Sequence, residues 1–457
     1  MEEVRQENKM GTMPEGKLLM NMSLPMMISM LVQAMYNIVD SIFVSRVSEN
    51  ALTAVSLAFP LQTLLIAVAA GTGVGVNSIL SKSLGEKNYE RANKAAMNGI
   101  FLHIISYVGS VIIGLLAVRP FYASQIKNAP VEIMEMGVQY LTIVMVASFG
   151  LYAQFIFERL LQATGRTFFT MISQMVGAII NIILDPILIF GYFGLPRMGV
   201  AGAAVATVVG QIVAGIVSIL YNLKKNDDIT ISFQGFRPDG YVIAGIYKVG
   251  LPSIVMQSIG SVMTYGMNLI LVGLSSTAAA VFGVYFKLQS FFFMPVFGLN
   301  NGIIPIVAYN YGAKKKKRMV RTIKWGMCIA CCFMVLGFLA FETVPGMLLL
   351  LFDASENMLT IGVPALRTIA ISFLSAWFCI VASSVFQAVG NGMYSLYVSV
   401  ARQLVVLLPV AYILAKIGGL SLIWWCFPIA ELMSGVISAI CLMLTFKKVI
   451  QPLPEEA

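Results

Sequence analysis

The sequence predicts an all-α membrane protein: twelve transmembrane helices in two six-helix lobes, related by a pseudo-twofold axis along the membrane normal. Three observations carry that expectation. Hydrophobic residues fill 58% of the 457 positions and charged residues only 11%, where a soluble domain carries about 25% charge. Apolar stretches of roughly the 20 residues that a bilayer requires recur along the chain. The chain also repeats itself. Leu24-Pro25 returns as Leu251-Pro252, and Gly71, Gly75, Gly85 and Arg91 return 227 positions later as Gly298, Gly302, Gly312 and Arg318. A doubled membrane unit is a common build for secondary transporters, with substrate bound between the repeats.

The spans fall at 18–45, 51–80, 95–118, 134–157, 166–191 and 199–222 in the first lobe. In the second they fall at 242–273, 278–308, 322–346, 361–386, 392–415 and 421–446. The N-terminal lobe is thus expected over 1–223 and the C-terminal lobe over 241–457, joined by a polar linker at 224–240. That linker holds Asn226-Asp227-Asp228 and Arg237-Pro238-Asp239-Gly240, both turn-forming. Gln162-Ala163-Thr164-Gly165 recurs as Gln387-Ala388-Val389-Gly390 between the fourth and fifth spans of each lobe. Of the 30 Lys and Arg residues, 21 lie in the two tails and the even-numbered loops, and five in the odd-numbered loops. By the positive-inside rule both termini face the cytoplasm, in a multi-pass protein of the plasma membrane. The run Lys314-Lys315-Lys316-Lys317-Arg318 reads as a topology anchor, with anionic lipid contact as an addition. Prolines inside spans, Pro25 and its repeat mate Pro252 among them, each free a carbonyl and permit a bend.

Several function classes are excluded. The net charge of +9 is loop charge that sets topology, so nucleic acid is not an expected partner. No phosphate-cradling Gly-Lys-Thr or Gly-Lys-Ser loop is present, so ATP does not drive the protein directly. With one His (His103) and six Cys confined to apolar stretches, neither a metal centre nor an intramembrane catalytic set can be assembled. The expectation is a non-enzyme with no cofactor and no bound metal, working as a monomer in the lipid bilayer.

Acidic residues inside spans are expensive and therefore candidates for function. The clearest are Asp40, Asp185 and Glu431; Glu158 and Glu342 lie near span ends, where ordinary solvation accounts for them. Gln33, Tyr36, Asn37 and Asp40 form one polar stripe on the first span. Asn181 and Asp185 share a face of the fifth span, and the sixth adds Thr207. Counting helical turns from the outer ends puts Asp40, Asp185 and Thr207 at one depth in the first lobe. Two carboxylates with amide and hydroxyl oxygens suit a proton or a small hard cation; the alternative is an interhelical contact without an ion. The second lobe differs. Met267 stands where the repeat would put an acid, while Lys287 and Arg402 supply positive charge and Glu431 is a natural partner for Arg402.

These passages resemble the multidrug and toxic compound extrusion (MATE) transporters, over about residues 17–448. The resemblance rests on Leu24-Pro25, Tyr36-Asn37-Ile38-Val39-Asp40 and Gln162 to Gly165. It rests also on Asn181 to Pro186, Gly199 to Thr207 and Pro305 to Ala313. The acid pattern is similar to the bacterial DinF-like and MepA-like branch; the NorM-like branch has acids on spans 7 and 10, which this chain lacks. The resemblance implies export of amphipathic, often cationic drugs from the cytoplasm by alternating access, coupled to H+ or Na+. It implies coupling roles for Asp40, Asn181, Asp185 and Thr207. Substrate is expected against Gln33, Tyr36, Asn37, Gln154, Gln257, Phe292 and Asn300. A rival with the same build is a flippase for lipids or lipid-linked oligosaccharides, which requires a basic cavity.

Overall fold

In the computed structural model, residues 7–125, 131–352 and 354–454 are described, and among them every regular element is helical. A short α1 (Lys9–Thr12) leads into α2 (Glu15–Ser45), α3 (Glu49–Gly85), α4 (Tyr89–Leu116) and α5 (Val118–Gln125). Then follow α6 (Val131–Val146), α7 (Phe149–Ala163), α8 (Thr167–Phe190) and α9 (Val200–Lys225). The second half runs through α10 (Gly240–Leu274), α11 (Ser276–Gly312), α12 (Lys316–Thr343), α13 (Pro345–Leu350), α14 (Glu356–Ala370) and α15 (Phe373–Ala388). It ends with α16 (Gly392–Val400), a π-helical stretch Ala401–Leu407, α17 (Leu408–Gly418) and α18 (Cys426–Thr445). Among the described residues ten helical stretches are long and apolar enough to cross a membrane, and twelve when two bent pairs count as one span each.

Those pairs are α6 with α7, bent by 45°, and α14 with α15, bent by 50°. Neither break contains a proline. Each contains a serine that turns back on its own helix. Ser148 Oγ donates to the Met145 carbonyl at 2.7 Å and Ser372 Oγ to the Ile369 carbonyl at 2.6 Å. The hydroxyl adds a second donor to a carbonyl that already accepts the same serine's amide, at 3.4 Å for Met145 and 2.9 Å for Ile369. The repeated Gln-Ala-x-Gly segments close α7 and α15. Gly165 (φ 84°) and Gly390 (φ 83°) adopt the left-handed conformation that ends a helix cheaply only at glycine. The next amides, of Arg166 and Asn391, return to the carbonyls of Leu161 and Phe386, each at 2.7 Å.

The chain forms two compact units: residues 28–254, and residues 1–27 with 255–457. Against the expected lobes of 1–223 and 241–457, each unit thus takes in the first half of the other repeat's leading helix. The reason is close packing at glycine. In the unit 28–254, the start of α10 lies on α3, where a Cβ on Gly71 would come within 2.7 Å of the Ile254 amide nitrogen. A Cβ on Gly75 would strike the Ile246 carbonyl. In the other unit, the start of α2 lies on α11, where a Cβ on Gly298 would come within 2.6 Å of Met27 Cα and one on Gly302 would strike Ser23. Met27 and Ile254 are themselves repeat mates, and they flank the two unit borders. Lipid tails are as apolar as side chains, so helices in a bilayer associate through such close contact and not through hydrophobicity.

Polar contacts secure both crossings. The basic run expected as a topology anchor also holds the N-terminal segment. Lys315 Nζ donates to Glu7 Oε1 (2.6 Å) and the Gly11 carbonyl (2.9 Å). Arg318 donates to the carbonyls of Met10 (3.3 Å) and Met13 (2.5 Å). In the linker, Arg166 pairs with Asp228, and Asn93 and Asn98 accept the amides of Thr230 and Asp239. The Asp239 carboxylate then caps α10 by accepting the amides of Tyr241 and Val242.

Substituting Gly75 by Ala should lower the thermal unfolding midpoint in detergent by the equivalent of about 1–3 kcal/mol of overpacking. Gly109→Ala is the control, since a Cβ there meets nothing within 4 Å. It should be neutral or stabilising by up to about 1 kcal/mol. Equal midpoints for the two variants would rule out the packing role of Gly75.

Candidate functional site

The unit 28–254 brings Asp40 of α2 and Asp185 of α8 together, with their carboxyl groups within hydrogen-bonding reach of each other. Asp185 is fully buried. Neither of its oxygens, nor Asp40 Oδ1, meets a protein donor. Two ionised carboxylates have no proton to share, so the contact becomes a hydrogen bond only when one of them carries a proton. Tyr36, one turn before Asp40, is hydrogen-bonded to Gln33 and lies within the electrostatic reach of both acids. Asn37, the fourth member of the predicted stripe, is solvent- or lipid-facing, and its carbonyl accepts Ser41 Oγ at 2.9 Å.

Asn181 and Thr207 meet as the spacing requires. Asn181 Nδ2 donates to Thr207 Oγ1 at 3.3 Å, which leaves Asn181 Oδ1 buried and without a donor. Asn181 is one turn before Asp185 on the same face of α8. A Cβ on Gly210 of α9 would lie 3.2 Å from Asn181 Cβ, so glycine lets α9 come close enough for the contact. Three side chains, Asp40, Asp185 and Asn181, thus present buried acceptor oxygens that meet no protein donor. Among the described residues no group of three or more His, Cys, Asp or Glu is positioned for a metal ion.

One neighbour of the acids gave no sequence signal. Tyr140 of α6, buried in the unit's core, accepts Gln62 Nε2 at 3.3 Å and lies within range of Asp40's charge. Nothing in the linear pattern sets Tyr140 apart from other tyrosines in apolar spans.

Glu158 corrects the reading that solvation accounts for it. It is only 4% exposed, and its carboxylate accepts Gln154 Nε2 (3.0 Å), Ser173 Oγ (3.0 Å) and Gln174 Nε2 (2.7 Å). Gln154, expected against substrate, is therefore engaged with Glu158. Glu342, in contrast, keeps 32% side-chain exposure beside Arg367. His103 is buried with its ring nitrogens facing the carbonyls of Gly99 (2.8 Å) and Ala69 (3.1 Å).

In the other unit, Arg402 Nη1 lies 3.3 Å from Glu431 Oε2, and Lys287 Nζ sits over the Phe352 ring at 5.8 Å. Arg402 is on the π-helical stretch. Phe292 packs on Phe341 within a cluster of buried aromatic rings that includes Phe373. Asn300 Nδ2 donates to the Ile380 carbonyl at 3.3 Å, and Gln257 is half-buried on α10.

A family model described as MatE matches residues 25–187 and, a second time, residues 252–413. The chain belongs to the MatE family. The two MatE matches begin at the repeat mates Pro25 and Pro252, two residues before Met27 and Ile254, where the units divide. The family is one of multi-pass membrane transporters. The chain is 29% identical over 420 residues to "Multidrug export protein MepA" of Staphylococcus saprophyticus, covering 90% of each chain. It is 27% identical over 424 residues to the protein of that name from Staphylococcus aureus, covering 92% of this chain and 91% of the other. The fold superposes with a TM-score of 0.92 on the outward-facing conformation of a multidrug resistance MATE family transporter. That match is 24% identical and covers 98% of this chain and 100% of the other.

Replacing Glu158 by Leu keeps side-chain bulk but takes the acceptor from the part-buried amides of Gln154 and Gln174, at about 1–3 kcal/mol each, while Ser173 Oγ keeps the Ala214 carbonyl at 2.8 Å. The variant should unfold at a markedly lower denaturant concentration in detergent than wild type. An unchanged midpoint would mean that the network adds nothing to stability.

Proposed function

We propose that this MatE-family transporter exports amphipathic organic cations from the cytoplasm by alternating access. On this reading it exchanges them for a proton or sodium ion bound at Asp40 and Asp185. The observation that carries the proposal is the facing pair of carboxyl groups, in which both Asp185 oxygens and Asp40 Oδ1 are buried without a protein donor. Support for the cargo comes from the Staphylococcus relatives, whose names describe multidrug export over nearly their whole length.

The site works through charge. With one proton or sodium ion between them, the acids form a compact contact that joins α2 to α8. When that cation leaves, two like charges face each other. At about 4 Å and an effective dielectric of about 20 their repulsion is roughly 4 kcal/mol. That is enough to shift a two-state equilibrium several hundredfold. Asn181 and Thr207 would orient the site and supply neutral oxygens, and Tyr36 would relay the change to the substrate-facing stripe. Proton and sodium use the same oxygens, so one site serves either coupling ion.

The flippase alternative is less well supported. A pyrophosphate would need free basic groups, yet Arg402 is paired with Glu431 and Lys287 covers an aromatic ring. In the favoured reading both termini are cytoplasmic, the membrane is the plasma membrane and the protein acts without enzymatic chemistry.

The deciding experiment loads proteoliposomes with a fluorescent organic cation and imposes a pH gradient or a sodium gradient. Wild type should move dye under one of them, and Asp185→Asn should cut the driven rate at least about tenfold. Driven transport in the variant equal to wild type would remove Asp185 from coupling. No driven transport by wild type would refute the antiport.

A further inference from the structure

A cavity of about 210 Å³ is lined by Arg321, Lys324, Trp325 and Cys328. These residues occupy one face near the start of α12, at spacings of three, four and seven. Gly16 of α2 lies against Trp325: a Cβ there would lie 3.2 Å from the indole ring, so the absent side chain gives the indole its place. We propose that this cavity binds the headgroup of an anionic phospholipid, with the phosphate between Arg321 and Lys324.

Charge favours an anion. Arg318, one turn earlier, is committed to the carbonyls of Met10 and Met13 and to Asn310 Oδ1. Arg321 is different. Its side chain is 66% exposed, and its contact with Glu15 is long at 3.7 Å, on a carboxylate it shares with Arg318. Lys324 makes no ion pair among the described residues and is exposed. Two accessible cationic heads therefore answer to one shared carboxylate.

The surface below the cavity favours a lipid over a free anion. Trp325 is 50% exposed beside the basic pair, where an amphipathic ring suits the polar–apolar boundary. Along the same face follow Cys328, Cys332, Leu336 and Leu339, all exposed. Basic heads, indole and apolar track come in the order of phosphate, glycerol and acyl chain. A choline or ethanolamine headgroup would bring its own cation beside Arg321 and Lys324, so the site selects net negative lipids. This proposal rests on α12 spanning the membrane and not on the Asp40–Asp185 pair, so either can fail alone.

Native mass spectrometry of the full chain in detergent provides the test, with phosphatidylglycerol, phosphatidylcholine or inorganic phosphate added. Wild type should retain phosphatidylglycerol in preference to phosphatidylcholine and bind no inorganic phosphate at equal concentration. Arg321→Gln with Lys324→Gln should weaken phosphatidylglycerol retention roughly tenfold, whereas Lys447→Gln with Lys448→Gln, at the other end of the chain, should leave it unchanged. Three results would each overturn the proposal: undiminished retention in the first variant, equal retention of both lipids, or displacement of lipid by inorganic phosphate. Should the double variant misfold, Lys324→Gln alone decides, because its ammonium supports no contact in the fold.

Discussion

Close approach at four glycines is the constraint on which the rest of this structure depends. Gly71 and Gly75 on α3, and Gly298 and Gly302 on α11, let a neighbouring helix come within distances that any side chain would forbid. Helices in lipid gain little from burying apolar surface, so backbone proximity has to supply the cohesion. Because the glycines are written twice, the solution is used twice. Each repeat sends the first half of its leading helix onto the second helix of the other. Those helices pass from one compact unit to the other after Met27 and after Ile254.

That arrangement frees the later halves of the leading helices for different work. Beyond residue 27, α2 carries Gln33, Tyr36 and Asp40 into the unit that contains α8. Beyond residue 254, α10 carries only Met267, fully buried, where the repeat would place Asp40. The two units therefore share a scaffold but not a chemistry. The first concentrates acids that lack donors. The second has its acid Glu431 already paired with Arg402 and a core dominated by stacked and edge-on aromatic rings. Duplication keeps the packing residues because both copies need the same close contacts. It leaves polar residues outside those contacts free to diverge.

Buried polarity in this protein falls into two kinds. Glu158 is satisfied by three donors and reads as a fixed part of the framework. Asp40, Asp185 and Asn181 are left with acceptors open. In a low-dielectric interior an open acceptor is costly. The contrast distinguishes the satisfied Glu158 from acids with open acceptors more sharply than burial alone does.

Much was legible in the sequence. Composition determined the membrane class, because a bilayer demands long apolar helices and little else satisfies it. The repeat determined the doubled build, and helical spacing placed Asp40 beside Gln33 and Tyr36 and Asn181 beside Asp185, because i, i+4 geometry is local. What tertiary structure alone decided depends on contacts between distant segments. The same serine, glutamate or glycine reads alike in any apolar span. Ser148 and Ser372 became helix breaks, Glu158 became buried, and Tyr140 joined the acid site, only because particular neighbours lie across from them. The exchange of leading helices was hidden for the same reason. A glycine pair announces that something will pack closely, but which helix comes to it is a property of the folded chain.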